Sequence, residues 1–327
     1  MILGCTYGLL TGPNGPTIRP HPRHKPFKTI EEQVELLEAR GVMTDDDTPE
    51  VLLREGYYSV VNGYKALFLD KEKSESAKDD RYLSGTSFAD IYALFTFDRE
   101  LRMLFFKYFA IAEEALKTAS AYCFSKAHIG EKEPYLDASN YDASPKQIEI
   151  LLSDFNTALG RNPRRKPKRK LYLEHYSRNH DEVPIWVLMK YLTLGQAFKF
   201  YCFQPERIRN EIAKAFSSLY ANDHEKPIRI SPRRLRLAYD HIKDFRNICA
   251  HDERFYCAKA SPSRDITVAD VVNDMQLVLS KSTYVELLAQ YTAMLLKLSK
   301  SLGPDVLNKV LKEMKVDSIY GAFSVNE

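Results

Sequence analysis

The chain has 327 residues, room for one large domain or two modest ones with a substantial core. Charged residues are 28% and hydrophobic residues 44%, an ordinary globular composition, and 13 glycines are few for a Gly-rich α/β nucleotide fold. The net charge of +3 rules out a uniformly basic or acidic chain, so any nucleic-acid surface has to arise from local clustering.

Residues 1–24 carry Gly and Pro without apolar periodicity and are expected to be a loose N-terminal extension. The start lacks a basic n-region and its apolar run is short, so no signal peptide is expected. No stretch reaches membrane-spanning length. The five cysteines, at 5, 123, 202, 249 and 257, have neither CxxC nor zinc-like spacing. They are expected to be reduced thiols of a cytoplasmic protein with no metal and no cofactor.

From Lys25 onward the punctuation is helical. Thr29 with Glu32 makes a capping box and Gly41 closes that helix; Thr48-Pro49 reads as N-cap and first position, with Gly56 as the stop. Tyr57 to Phe68 is apolar and Tyr-rich, and Lys71 to Arg81 reads as a charged surface loop. Ser87 with Asp90 opens the longest periodic run, whose stripe is Ile91, Leu94, Leu101, Phe105, Tyr108, Ala112, Ala115 and Ala119. Asp98 and Arg102 stand four apart, in the order that suits a helix ion pair. Ser144-Pro145 and Ser231-Pro232 repeat the cap-plus-proline start, and further helices are predicted at 205–218, 268–280, 283–301 and 305–314. No segment pairs strand alternation with a hairpin turn, so the fold class is all-α, with residues 25–327 as one domain.

The segment Asp244 to His251 carries the chemistry. Its helix spans about 232–251, and Leu235, Ala238, Ile242, Phe245 and Cys249 form a buried stripe. At about 100° per residue, Asn247 and His251 point away from that stripe, with Asp240 on their side and Arg246 at its edge. A guanidinium, an amide and an imidazole together suit phosphodiester cleavage. An RNA 2′-hydroxyl attacks its own phosphorus once a base takes its proton, imidazole exchanges protons near neutral pH, Arg can hold two phosphate oxygens, and Asn can position the phosphate or fix the imidazole. Arg and His near a helix C-terminus also commonly just satisfy terminal carbonyls and the helix dipole, and that reading stands beside the first.

At these residues the chain resembles the Abi family of bacterial abortive-infection proteins, the AbiD/AbiF type, within the HEPN group of α-helical ribonucleases. The resemblance rests on Lys25-Pro26, "EEQVELLEARGV", "LLREGYYSVVNGYKALF", "FADIYALFTFDRELR" at 88–102, "IAEEALK" at 111–117, "VPIWVLMKYLTLGQAFKFY" at 183–201 and "RNICAHDERFY" at 246–256. Arg246 and His251 occupy the places of the Arg-polar-x3-His signature, with Asn247 as the polar neighbour. The resemblance implies a HEPN-like helical bundle with extra N- and C-terminal helices, a homodimer with a composite active site, metal-independent endoribonuclease activity, and a toxin role in phage defence. An RNA or protein antitoxin would fit such a role.

Two basic clusters are candidate RNA-binding surfaces. One is Arg161, Arg164, Arg165, Lys166, Lys168, Arg169 and Lys170, interrupted by prolines; the other includes Arg233, Arg234 and Arg236 and leads into the motif helix. A solvated loop is the alternative for the first. Asp252, Glu253 and Arg254 could tune the imidazole, but surface pairs are the favoured reading, and His175 and His180 are expected to be polar surface residues. Trp186, Tyr191, Phe198 and Tyr201 could stack bases, but their helical spacing favours core. The competing function is a non-catalytic helical RNA- or protein-binding module; no Walker A and no paired metal-binding carboxylates support a nucleotide-modifying enzyme.

Overall fold

Thr29 accepts the Glu32 backbone N–H while the Glu32 carboxylate accepts that of Thr29, and this capping box starts α1, Ile30–Ala39. The computed structural model describes residues 26–162, 171–260 and 265–316. Among them every regular element is helical, apart from two isolated bridges, Met43 with Ser87 and Leu69 with Tyr82. The N-terminal extension and residues 164–170 of the first basic cluster lie outside the described residues.

Next come α2 (Thr48–Glu55) and a single π-helical turn, Tyr58–Asn62. Thr48 is the first residue of α2 rather than its cap, because its hydroxyl is taken up by Asp45, at 2.6 Å. Gly56, at φ 84°, ends the helix in a region that L-residues avoid. The segment read as a charged loop contains α3, Lys71–Ala77. Asp70 caps it by accepting the Lys73 N–H, and its Lys and Glu residues are good helix formers.

The organising element is α4, Phe88–Ala127, 40 residues long. Ser87 and Asp90 form its capping box as the sequence indicates. The stripe holds from Ile91 to Ala112 and then shifts: Ala115 and Ala119 are half-buried, whereas Leu116, Ser120 and Phe124 are buried. Over eleven turns the helix changes partners, so one straight stripe cannot serve them all. The remaining helices are α5 (Pro145–Ala158), α6 (Leu171–Asn179), α7 (Ile185–Leu188), α8 (Leu194–Phe203), α9 (Glu206–Asp223), α10 (Pro232–Ala250), α11 (Val268–Met275), α12 (Lys281–Ser299) and α13 (Pro304–Met314). Helices α7, α8, α9, α10 and α12 all pack on α4, and α11 packs on α10.

Helix α10 runs antiparallel to α4. Tyr239 donates to the Ala112 carbonyl at 2.8 Å, and further along α10 the chain beyond its end returns to Asp98. Leu235, Ala238, Tyr239, Ile242 and Phe245 are fully buried against this neighbour. Phe255, just past the helix, sits among Phe105, Phe109 and Phe245, with ring centroids 4.8, 6.4 and 5.3 Å away. Truncating such a ring to alanine costs about 3–5 kcal/mol, so this aromatic cluster clamps the end of α10 firmly.

Candidate active site

Ser231 caps α10 by accepting the Arg234 N–H, Pro232 supplies its first position, and the helix then runs to Ala250 with His251 as its C-cap. The buried stripe turns Asn247 and His251 to the surface and leaves Arg246 half-buried at its edge, as the helical spacing indicates. The Arg246 Nη1 approaches the Asn247 Oδ1 at 3.5 Å, and its guanidinium lies over the Phe106 ring, 5.7 Å from the centroid. His251 follows Asn247 by one turn, its backbone N–H donating to the Asn247 carbonyl at 2.9 Å.

Two α4 side chains that the sequence reading left unassigned complete this surroundings. Glu113 places one oxygen 2.6 Å from the Lys117 Nζ and the other 3.9 Å from the Arg246 Nε. Lys117 is only 7% exposed, so the Glu113 carboxylate is its necessary counter-charge. Both residues fall within "IAEEALK", one turn apart, on the side of α4 that faces α10.

The end of α10 is closed by backbone. With Asp252 at φ 56°, its N–H donates to the Cys249 carbonyl at 3.4 Å and the Glu253 N–H to the Ile248 carbonyl at 3.1 Å. This is the Schellman arrangement with an aspartate where glycine is usual. The carbonyls of Asn247, Ile248 and Cys249 are therefore met by main-chain N–H groups. Among the described residues no hydrogen bond from the Arg246 or His251 side chain to these carbonyls is formed, so neither side chain acts as the cap of α10.

Asp252 is held by α4. Arg102 pairs with its carboxylate at 2.6 Å and with Asp98, also at 2.6 Å. Asp98, fully buried, further accepts the Tyr64 hydroxyl (2.6 Å) and the backbone N–H groups of Phe255 and Tyr256 (3.1 and 2.7 Å). Burial pushes the Asp98 carboxyl above the ordinary carboxylate range, and these donors counter only part of that push. The i,i+4 pair indicated by the sequence is thus also a buried anchor for the chain just after His251. Arg254 is tied as well, donating to the Gly63 carbonyl at 2.9 Å. Asp252 and Arg254 therefore reach across the fold through their side chains rather than pairing locally, and Glu253 does so through its backbone carbonyl, which accepts from Arg102 at 3.4 Å.

Cys249, inside the motif, is not a poised nucleophile: burial pushes its thiol up to about 12. Cys123, Cys202 and Cys257 are also free thiols. Among the described residues no group of three or more His, Cys, Asp or Glu could hold a metal ion, and no helix is long and apolar enough to cross a membrane.

The other site expectations fare differently. Arg233, Arg234 and Arg236 are exposed on the first turns of α10. Since eleven residues are close to three full turns, Arg236 shares the face of Asn247. Arg161 is engaged by Glu133 in a two-pronged pair at 2.7 and 2.9 Å. Arg164, Arg165, Lys166, Lys168, Arg169 and Lys170 lie outside the described residues. His175 and His180 are exposed, as expected. Tyr201 is fully buried and Tyr191 and Phe198 half-buried, but Trp186 is 55% exposed, which corrects its assignment to the core. The reason is that α7 is a single turn, whose Ile185, Val187 and Leu188 already face inward.

Fold and site together define an all-α protein that presents an Arg–Asn–His set at the end of one core helix. A family model described as Abi-like protein matches residues 50–257, well over half of the chain, and the chain belongs to that family. No curated protein and no solved structure matches it.

Proposed function

We propose that this protein is a metal-independent endoribonuclease of the HEPN type, acting as an abortive-infection effector. The observation that carries this reading is that Arg246 at the stripe's edge and the exposed Asn247 and His251 stand at one end of α10, while the hydrogen bonds that close that end come from main-chain N–H groups and not from these side chains. In the proposed reaction His251 takes the proton from an RNA 2′-hydroxyl, whose oxygen attacks the adjacent phosphorus. The P–O5′ bond breaks, leaving a 2′,3′-cyclic phosphate and a 5′-hydroxyl. Arg246 holds the non-bridging oxygens and stabilises the charge that builds there, with Asn247 steadying the guanidinium. Membership of the Abi-like family supports the defence role.

The departing 5′-oxygen needs a proton, and one motif supplies one imidazole. A homodimer that sets two motifs face to face would supply the second. Exposed Met103 and Phe106, on the side of α4 that carries the Arg246 contact, favour such a pairing. Sedimentation and activity on dilution test it: a monomer with full specific activity would remove the composite site.

The function as a whole is tested by sequencing RNA ends after brief induction in a bacterial host. New 5′-hydroxyl ends and slowed growth are expected with the wild type and absent with Arg246→Ala at matched protein level. Identical end profiles for the two would instead favour the non-catalytic binding module.

A further inference from the structure

Two adjoining pockets lead from the end of α10 to α13. The first, about 490 Å³, is lined by Ile248 and Asp252 of the motif segment, by Arg102 and Arg254, and by Tyr58 of the π-helical turn. It opens on the motif's own side of α4. Arg102 and Phe106, the ring under the Arg246 guanidinium, are one turn apart on that helix, and Asp252 directly follows His251. The second, about 530 Å³, lies between α13 and the short turn Lys65–Leu67. It carries Lys71, Lys259, Lys309, Lys312 and Lys315 against Asp265 and Glu313. Lys259 lines both pockets and makes them one groove.

Cations along the groove outnumber carboxylates seven to four, a surplus as large as the net charge of +3 on the whole chain. Asp265 alone meets both Lys259 and Lys315, at 2.7 and 2.8 Å, whereas Lys71, Lys309 and Lys312 are exposed and enter no ion pair among the described residues. The dipole of α13 accounts for Lys312 and Lys315 near its C-terminus, but not for Lys71 and Lys259, which reach the same pocket from other segments. A concave surface with an excess of one charge focuses its field on a polyanion. At the motif end stands Tyr58, 80% exposed, on a π-helical turn, a backbone form that recurs at functional sites. A positive groove with an exposed aromatic ring is the combination that holds single-stranded nucleic acid: cations track the phosphates and the ring stacks a base.

We propose that this groove holds the single-stranded RNA that flanks the cut: a base stacks on Tyr58, and successive phosphates pair with Arg254, Lys259, Lys309 and Lys312. The inference rests on the ribonuclease reading. It adds a requirement on the substrate, an unpaired stretch of several nucleotides on one side of the cleaved bond, since a paired base offers no free face to stack. The cations come from segments far apart in the chain and meet only in the fold, unlike the runs at 161–170 and 233–236.

The probe is a labelled single-stranded 2′-O-methyl RNA oligonucleotide, which lacks the attacking hydroxyl, and binding to the full chain is read by anisotropy at stepped salt concentration. Combining Lys259→Gln, Lys309→Gln and Lys312→Gln should weaken binding about tenfold or more at low salt. It should also lower the slope of log affinity against log salt by about 2, at roughly 0.7 per phosphate. Arginine at the same three positions should keep both the affinity and the slope, because the charge is kept. Tyr58→Ala should weaken binding about tenfold with the slope unchanged, and Tyr58→Phe should recover most of the loss. All four side chains are exposed, so circular dichroism should find the variants folded.

An unchanged slope in the glutamine triple variant overturns the groove, as does affinity indifferent to Tyr58→Ala or an absence of RNA binding. Polyglutamate that displaces the oligonucleotide as well as unlabelled RNA of equal charge also overturns it, by assigning the groove to an acidic protein. RNA binding with the expected losses in a protein that never cleaves supports the groove while removing the ribonuclease reading. His251-dependent cleavage together with an unchanged slope in the triple variant does the reverse.

Discussion

The Asp98 carboxylate accepts the backbone N–H of Tyr256 at 2.7 Å, joining positions 158 residues apart in the chain. Through this bond and the Arg102–Asp252 pair, the middle of α4 fixes the segment that leaves the motif helix, and with it the position of His251. Asp98→Ala would leave the buried Arg102 with the exposed Asp252 as its remaining counter-charge and free two backbone N–H groups. A loss of roughly 3–5 kcal/mol is expected, read as a lower urea midpoint, with Asp98→Asn less harmful. An unchanged midpoint for Asp98→Ala would mean that the anchor lies elsewhere.

Asp252 occupies a left-handed backbone position, at φ 56°. Asp252→Gly relieves that conformation while giving up the Arg102 pair, and should shift stability by less than about 1 kcal/mol. Asp252→Val loses the same pair and adds strain, at a cost of roughly 1–3 kcal/mol more. Thermal unfolding of the two variants gives the order. A valine variant as stable as the glycine variant would contradict the turn described.

Much of the fold was legible in the sequence because caps and periodicity are local. The boxes at Thr29 and Ser87, the Ser144 and Ser231 starts, and the outward turn of Asn247 and His251 follow from residues within one or two turns. What was not legible depends on residues distant in the chain. The Asp98–Arg102 pair has ordinary helix spacing, and only the fold brings it to Asp252 and Phe255. Glu113 and Lys117 look like routine α4 charges until α10 sets Arg246 beside them. Trp186 reads as core on spacing, yet its helix is too short for an apolar residue at every position to face inward.

Glu133 and Arg161 give a pH dependence. Burial pushes the Glu133 carboxyl up, but the Arg161 pair and the Val183 N–H outweigh it, and the net position is below the ordinary glutamate range. A carboxyl lowered by folding contributes stability that is fully present above its unfolded pKa. That contribution disappears as pH falls through the folded pKa. Arg161→Ala should therefore be less stable than wild type near neutral pH, and the gap should close on acidification below pH about 4. Urea unfolding of both proteins across that range is the check, and a gap that widens in acid would contradict the pairing.

Arg233, Arg234 and Arg236 offer exposed cations on the helix that ends in the motif. If they contact RNA phosphates, replacing all three with glutamine should reduce the slope of log affinity against log salt by about 2, at roughly 0.7 per phosphate on a single strand. The measurement is a set of binding titrations at stepped salt concentration. An unchanged slope would assign these arginines to solvent.

The most direct test of the Arg246–Asn247–His251 site is cleavage of an end-labelled single-stranded RNA by the purified protein, with and without EDTA. Wild type should cut at the same rate in both, leaving 5′-hydroxyl ends and cyclic or 3′-phosphate ends. His251→Ala and Arg246→Ala should each be slower by about a hundredfold or more. Cleavage abolished by EDTA, or His251→Ala cutting as fast as wild type, would contradict the proposed chemistry.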